Sequence, residues 1–207
     1  GLIMLTLFVL MSICIGFLSS YDPGITVDTE RLGLTWNHLL GTDWMGRDIF
    51  TRIFYAARLS LFIGLACIVV SALVGIPLGA IAGYFGGWTD AVISRCTEAL
   101  LAIPFLILAI ALAAFLGPSL TNAMIAIGIA ATPVFIRLTR GQAINVASED
   151  YVESAHAIGL STGVILRRYI FPNVLPPILV QATLTVASAI IAEASLSFLG
   201  LGQQPPA

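Results

Sequence analysis

Apolar residues gather into five long runs along the chain, at 2–18, 59–83, 99–116, 119–136 and 177–201, and the stretches between them are rich in charge, glycine and proline. A bilayer core about 30 Å thick is crossed by a helix of roughly 20 apolar residues. Each run is near that length, the last interrupted only by Glu193 and small hydroxyl residues. The pattern predicts an all-α polytopic membrane protein, a single transmembrane domain over 1–207 with at least five transmembrane helices.

Two polar stretches break the apolar pattern. Residues 19–58 carry Asp22, Asp28, Glu30, Asp43, Asp48 and four arginines, too much charge for lipid and too great a length for a turn. Within them Ile49, Phe50, Ile53 and Phe54 share one helical face, which predicts a helix lying at the membrane interface. The second stretch, 137–175, has a helical pattern. Ser148 is placed to cap a helix that opens with Glu149 and Asp150, acids suited to the positive helix end, and Gly159 suits its left-handed close. Tyr151, Ala155 and Ile158 recur at i, i+4, i+7 and predict one face of a slim helix over 149–159. Ser161 then caps a segment over 162–171 that carries Arg167 and Arg168 and is expected to stop before Pro172.

Within the second run Gly75, Gly79 and Gly83 repeat at four-residue spacing, continuing to Gly87. Such a stripe lets another helix approach closely, or lines a pathway. Pro77, Pro104 and Pro133 fall inside or near the ends of apolar runs, where they either shape helices or form kinks that serve gating.

Composition sharpens the reading. The chain is 58% hydrophobic and 10% charged, with mean hydropathy +1.01, against roughly 25% charge in a soluble domain. All nine basic residues are arginine and the net charge is −2, which leaves no basic stripe for nucleic acid. Cys14, Cys67 and Cys96 lack CxxC spacing and paired histidines, so they read as packing residues, not as a disulfide or metal site. A Walker A loop needs a lysine on the nucleotide phosphates, and the sequence has none. Gly159-Leu160-Ser161-Thr162-Gly163 matches GxSxG, yet it lies between helical segments and not at a strand-to-helix elbow. No catalytic, cofactor-binding or metal-binding residues are expected. A secondary transporter stands as the alternative from another class, with no inverted repeat to support it. The chain opens on glycine and enters an apolar run at once, so further residues are expected upstream.

Glu153-Ser154-Ala155-His156-Ala157-Ile158-Gly159, with Ile170-Phe171-Pro172 eleven to thirteen residues beyond the glycine, resembles the EAA loop of ABC importer permeases. Two further stretches resemble the dipeptide/oligopeptide/nickel branch more narrowly: Leu40-Gly41-Thr42-Asp43-Trp44-Met45-Gly46-Arg47-Asp48-Ile49-Phe50-Thr51-Arg52, and Ala194-Ser195-Leu196-Ser197-Phe198-Leu199-Gly200-Leu201-Gly202 followed by Pro205-Pro206. The departures are Ser154 at the second EAA position and Phe171 where leucine is usual, each keeping a small or apolar side chain.

The resemblance implies the type I ABC importer permease fold, in the second permease of its pair. It implies six spans with both ends in the cytoplasm, so a final span is expected beyond this chain. It places the multi-pass chain in the bacterial inner membrane, with 19–58 periplasmic and 137–175 cytoplasmic. It implies coupling to an ATPase through Glu149, Asp150, Tyr151, Glu153, Ala155, Ile158 and Gly159, with Arg167, Arg168 and Pro172 supporting the loop. Glu193, Ser195, Gly75 and Gly79 are left as pathway or packing residues. Glu153 either anchors its helix or is a solvated acid, and Arg167 and Arg168 face either the ATPase or lipid headgroups. The implied partners are a second homologous permease, two ATP-binding subunits holding ATP and magnesium, a periplasmic or extracellular solute-binding protein, and membrane lipid. The implied solute is a di- or oligopeptide or a peptide-like compound. Nickel import is the alternative within the branch, although only His38 and His156 are present.

Overall fold

The computed structural model describes residues 2–202, so Pro205 and Pro206 lie outside the described residues. The elements are α1 (Leu2–Leu18), α2 (Ile49–Phe85), α3 (Gly87–Leu101), α4 (Phe105–Leu116), α5 (Leu120–Ala147), α6 (Asp150–Ala157), α7 (Thr162–Ile165), a π turn (Leu166–Ile170) and α8 (Phe171–Phe198). Among the described residues the only β pairing is an isolated bridge between Thr42 and Asp48. Among the described residues three helical runs are long and apolar enough to cross a membrane: α2, α5 and the continuous run Thr162–Phe198. The α3–α4 pair, bent by 92°, makes a fourth if it is taken as one span. The 17-residue α1 is shorter and carries no charged residue.

The helices overrun the apolar runs that announced them. No separate interfacial helix precedes the second span, because α2 is continuous for 37 residues from Ile49. Nothing between 49 and 59 breaks helical hydrogen bonding, and Asp48 caps the start. The run over 99–116 is split where Pro104, which has no amide and disfavours helix in the residue before it, becomes the N-cap of α4. The fifth element continues to Ala147, three turns into the stretch assigned to a loop. The segment after Ser161 does not stop before Pro172. The Phe171 amide bonds to the Leu166 carbonyl, a π register that widens the helix and carries it past Pro172, Pro176 and Pro177.

The chain divides into two compact units, residues up to 62 and residues from 63 onward. In the first, Phe8 of α1 lies 5.5 Å from Phe54 of α2 between ring centroids, and the Ser19 and Thr51 hydroxyls are 2.5 Å apart. The loop between them is knotted around two carboxylates. Asp48 accepts from the Thr51 amide at 2.7 Å and the Thr51 hydroxyl at 2.6 Å, and meets His38 Nδ1 at 2.9 Å. Asp43 accepts from the amides of Met45 and Arg47 and from the guanidinium groups of Arg47 and Arg52. Gly46, at φ 70°, has the Asp28 carbonyl where a Cβ would sit.

In the second unit α5 is the central element, with a buried layer at each end. One layer joins Ile63 and Cys67 of α2 to Leu108, Ala109 and Ala113 of α4, Ala123 to Ala130 of α5, and Ala189, Ala192 and Leu196 of α8. The other joins Phe135, Ala143 and Val146 of α5 to Val152, Ala155, Ile165, Ile170, Val174 and Ile178. The glycine stripe of α2 lies directly on α5. A Cβ on Gly75 would come 2.5 Å from Phe135 Cβ, on Gly79 2.5 Å from the Ile136 carbonyl, and on Gly83 2.5 Å from the Arg140 carbonyl. The stripe ends there. Gly86 and Gly87, at φ 62° and 54°, form the turn into α3 instead of extending it. Asp90 of α3 then holds Arg140 of α5 through an ion pair, with Nη2 to Oδ2 at 2.6 Å.

Candidate functional site

The stretch singled out over 149–159 folds as α6, eight residues long and bounded by two sharp turns. Ser148 does not cap it. Its hydroxyl donates to the Asn145 carbonyl at 2.8 Å and closes α5. Glu149 is the N-cap, in extended conformation, and its carbonyl accepts from the Val152 and Glu153 amides. At the other end Gly159 has φ 78°. Its amide donates to the His156 carbonyl and the Leu160 amide to the Ala155 carbonyl, the paired bonds of a Schellman close.

Tyr151, Ala155 and Ile158 do not form one face. Val152 and Ala155 are buried at 0% and 2% exposure and pin α6 to the layer formed by α5, the π turn and α8, while Ile158 is 75% exposed. An eight-residue helix offers two faces, and the smaller apolar side chains take the inner one. Glu149, Asp150, Glu153 and Gly159 are exposed. The Glu153 carboxylate makes no ion pair among the described residues.

Aromatic rings hold α6 on both flanks. Tyr151 stacks on Tyr169 of the π turn with centroids 6.3 Å apart. On the other side His156 stacks on Tyr84 at 6.0 Å and 15°, and His156 Nε2 lies 3.1 Å from the Tyr84 hydroxyl. Tyr84 is the penultimate residue of α2. Sequence reading missed this contact because 72 residues separate the partners, and neither carries a periodic signal.

The remaining singled-out residues are dispersed. Arg167 and Arg168 stand exposed on the π turn and Pro172 is exposed in the first turn of α8. Glu193 accepts a hydrogen bond from the Ser197 hydroxyl at 2.7 Å. Ser195 donates to the Ile191 carbonyl at 2.9 Å and borders an apolar hollow with Leu106, Ile110 and Phe198. Gly75 and Gly79 are filled by α5.

The loop over 19–58 has its own electrostatics. Burial pushes the Asp43 carboxyl up, but amide hydrogen bonds from Arg47 and Met45 and the Arg47 guanidinium outweigh this and hold it at about 2. For Asp48 burial likewise raises, and the Thr51 hydroxyl, the Thr51 amide and the His38 ring prevail and hold it below the usual carboxylate value. Both residues therefore act as ionised acceptors.

Comparison with known proteins supplies the context for this arrangement. Residues 75–207 match the family described as binding-protein-dependent transport system inner membrane component. The chain is 47% identical over 207 residues to the dipeptide transport system permease protein DppC of Alkalihalophilus pseudofirmus, covering all of this chain and 68% of that protein. It is 41% identical over 205 residues to the probable D,D-dipeptide transport system permease protein DdpC of Escherichia coli, covering 99% and 69%. It is also 41% identical over 206 residues to the glutathione transport system permease protein GsiD of Pectobacterium atrosepticum, covering 97% and 68%. Among solved structures, the MetNI methionine ABC transporter in inward-facing conformations matches with TM-score 0.58 at 20% identity, over 68% of this chain and 71% of that one. Long apolar helices around a central α5, the type I importer fold and similarity to transport permeases along this whole chain agree, and the chain belongs to the binding-protein-dependent transport system inner membrane component family, as a multi-pass permease of an ABC importer.

Proposed function

We propose that this permease imports di- or oligopeptides or closely related solutes, and that α6 is the helix through which ATP-binding subunits drive it. The observation that carries the coupling reading is the construction of α6. Its inner face is anchored by Val152 and Ala155, while Tyr151 and Ile158 project outward at 42% and 75% exposure, an apolar pair of the kind that fills a partner's pocket. The solute reading rests on the relatives, whose names specify dipeptides, D,D-dipeptides and glutathione.

On this reading the α6 end of α5 faces the cytoplasm of a bacterial cell and the loop over 19–58 faces the periplasm. ATP and magnesium reside on two partner ATPase subunits, a second homologous permease completes the passage, and a solute-binding protein delivers the solute. Glu149, Asp150 and Glu153 form the polar rim of the ATPase contact, and Arg167 and Arg168 lie beside it.

The test is co-purification of the ATPase subunits with the full permease pair, together with uptake of alanyl-alanine into vesicles. Ile158→Asp is expected to weaken ATPase association by roughly 30-fold, about 2 kcal/mol, and to abolish uptake while membrane insertion is unchanged. Undiminished association would remove α6 from the coupling role.

A further inference from the structure

At the level of the glycine contact, α5 presents two opposite faces. One carries Thr132, Ile136, Thr139 and Ala143 and meets α2. The other carries Val134, Arg137, Gly141 and Asn145, spaced as one helical stripe, and stays open. With Gln142 of α5 and Gln181 of α8 it lines a hollow of about 470 Å³. A Cβ on Gly141 would meet nothing within 4 Å. Arg137 is exposed in this hollow, whereas Arg140, one turn on, is neutralised by Asp90. Among the described residues Arg137 has no ion-pair partner, and no acid lines the hollow.

Depth makes this costly. Arg137 follows Leu120 by 17 residues and Gln181 precedes Phe198 by 17, so each lies roughly 26 Å along its helix at 1.5 Å per residue. A hydrocarbon core about 30 Å thick measured from those helix ends would reach both residues, and there an arginine is kept only against protein, water or an anion. A guanidinium offers five donors in a fork that fits a carboxylate, and the neighbouring amide side chains supply neutral donors and acceptors around it. The hollow sits two turns above α6, the element to which the coupling role is assigned.

We infer that the hollow between α5 and α8 is a solute-binding station of the passage, in which Arg137 takes the carboxylate of the transported solute. Asn145 and Gln181 hold its amide groups. The peptide identity of that carboxylate rests on the reading above; the anion site does not.

The test labels Gly141→Cys with a thiol reagent in the full assembly, held in nanodiscs of neutral phosphatidylcholine, with the exposed Cys14 and Cys96 changed to serine. Alanyl-alanine added directly at about ten times its dissociation constant is expected to slow labelling roughly tenfold, and alanyl-alanine amide to leave it unchanged. Arg137→Gln is expected to abolish the protection and Arg137→Lys to retain part of it. Equal protection by acid and amide, no protection by alanyl-alanine and none by succinate either, or protection that survives Arg137→Gln would each overturn the site. So would protection that requires phosphatidylglycerol and ignores the dipeptide, which would assign Arg137 to a lipid headgroup. Uptake of alanyl-alanine by the wild-type assembly is scored separately. If it is absent the peptide reading falls, while Arg137-dependent protection by succinate, a dicarboxylate without a peptide bond, still supports the anion site.

Discussion

At the scale of residues, the loop over 19–58 shows how a charged stretch becomes ordered beside a membrane. Asp43 and Asp48 replace the solvent of the loop with hydrogen bonds from its own amides, and Gly41 and Gly46 allow the backbone to close around them. Asp43 is held at about 2 in the folded loop, below the roughly 3.9 of an unfolded aspartate. Its contribution to stability is therefore complete above about pH 4 and is lost as the pH falls toward 2. Amide hydrogen exchange of residues 41–52 is expected to show constant protection from neutral pH down to about 5 and progressive loss below 4. In Asp43→Asn the loop is expected to be less protected at neutral pH, with a flatter response to acid.

At the scale of elements, the sequence announced most helices and misplaced their ends. Apolar runs report where lipid or core lies, whereas helix ends are set by hydrogen bonding: Asp48, Gly86 and Ser148 lie outside those runs, and Pro104 breaks one from within. The four-residue spacing of Gly75, Gly79 and Gly83 pointed to a close helix contact, but only the fold identifies α5 as the neighbour. The division of α6 into a buried Val152–Ala155 face and an exposed Tyr151–Ile158 pair was not legible, because in eight residues both assignments satisfy helical periodicity. The glycines also differ in what a methyl group would cost. A Cβ at Gly79 meets the Ile136 carbonyl at 2.5 Å and Thr139 Cβ at 2.7 Å, atoms that move only if the helices separate. Gly79→Ala is expected to destabilise the protein by about 1–3 kcal/mol, while Gly141→Ala leaves stability unchanged or raises it by up to about 1 kcal/mol through helix propensity. Thermal unfolding of the two variants in one detergent checks the contrast.

At the scale of the transporting molecule, the coupling role proposed for α6 raises the question of how force applied there would reach the spans. Two routes leave it. Val152, Ala155 and the Tyr151–Tyr169 stack lead into the π turn and α8, and a π turn, with its i+5 bonds, is a place where a helix can change register. The Tyr84–His156 contact leads into α2, and there the glycine stripe leaves no slack, so α2 and α5 shift together. If the second route carries force, cutting it uncouples the machine without dismantling it. Tyr84→Phe keeps the ring stack and removes the hydrogen bond at 3.1 Å, whereas Tyr84→Ala removes both. ATPase association is expected to be unchanged in either variant, since Tyr84 belongs to α2 and not to the outward pair Tyr151 and Ile158. Solute imported per ATP hydrolysed is expected to fall modestly, about twofold, in Tyr84→Phe, the scale of losing one exposed hydrogen bond of about 0.5 kcal/mol, and several-fold further in Tyr84→Ala. A ratio preserved in both variants would leave the π turn and α8 as the route of force.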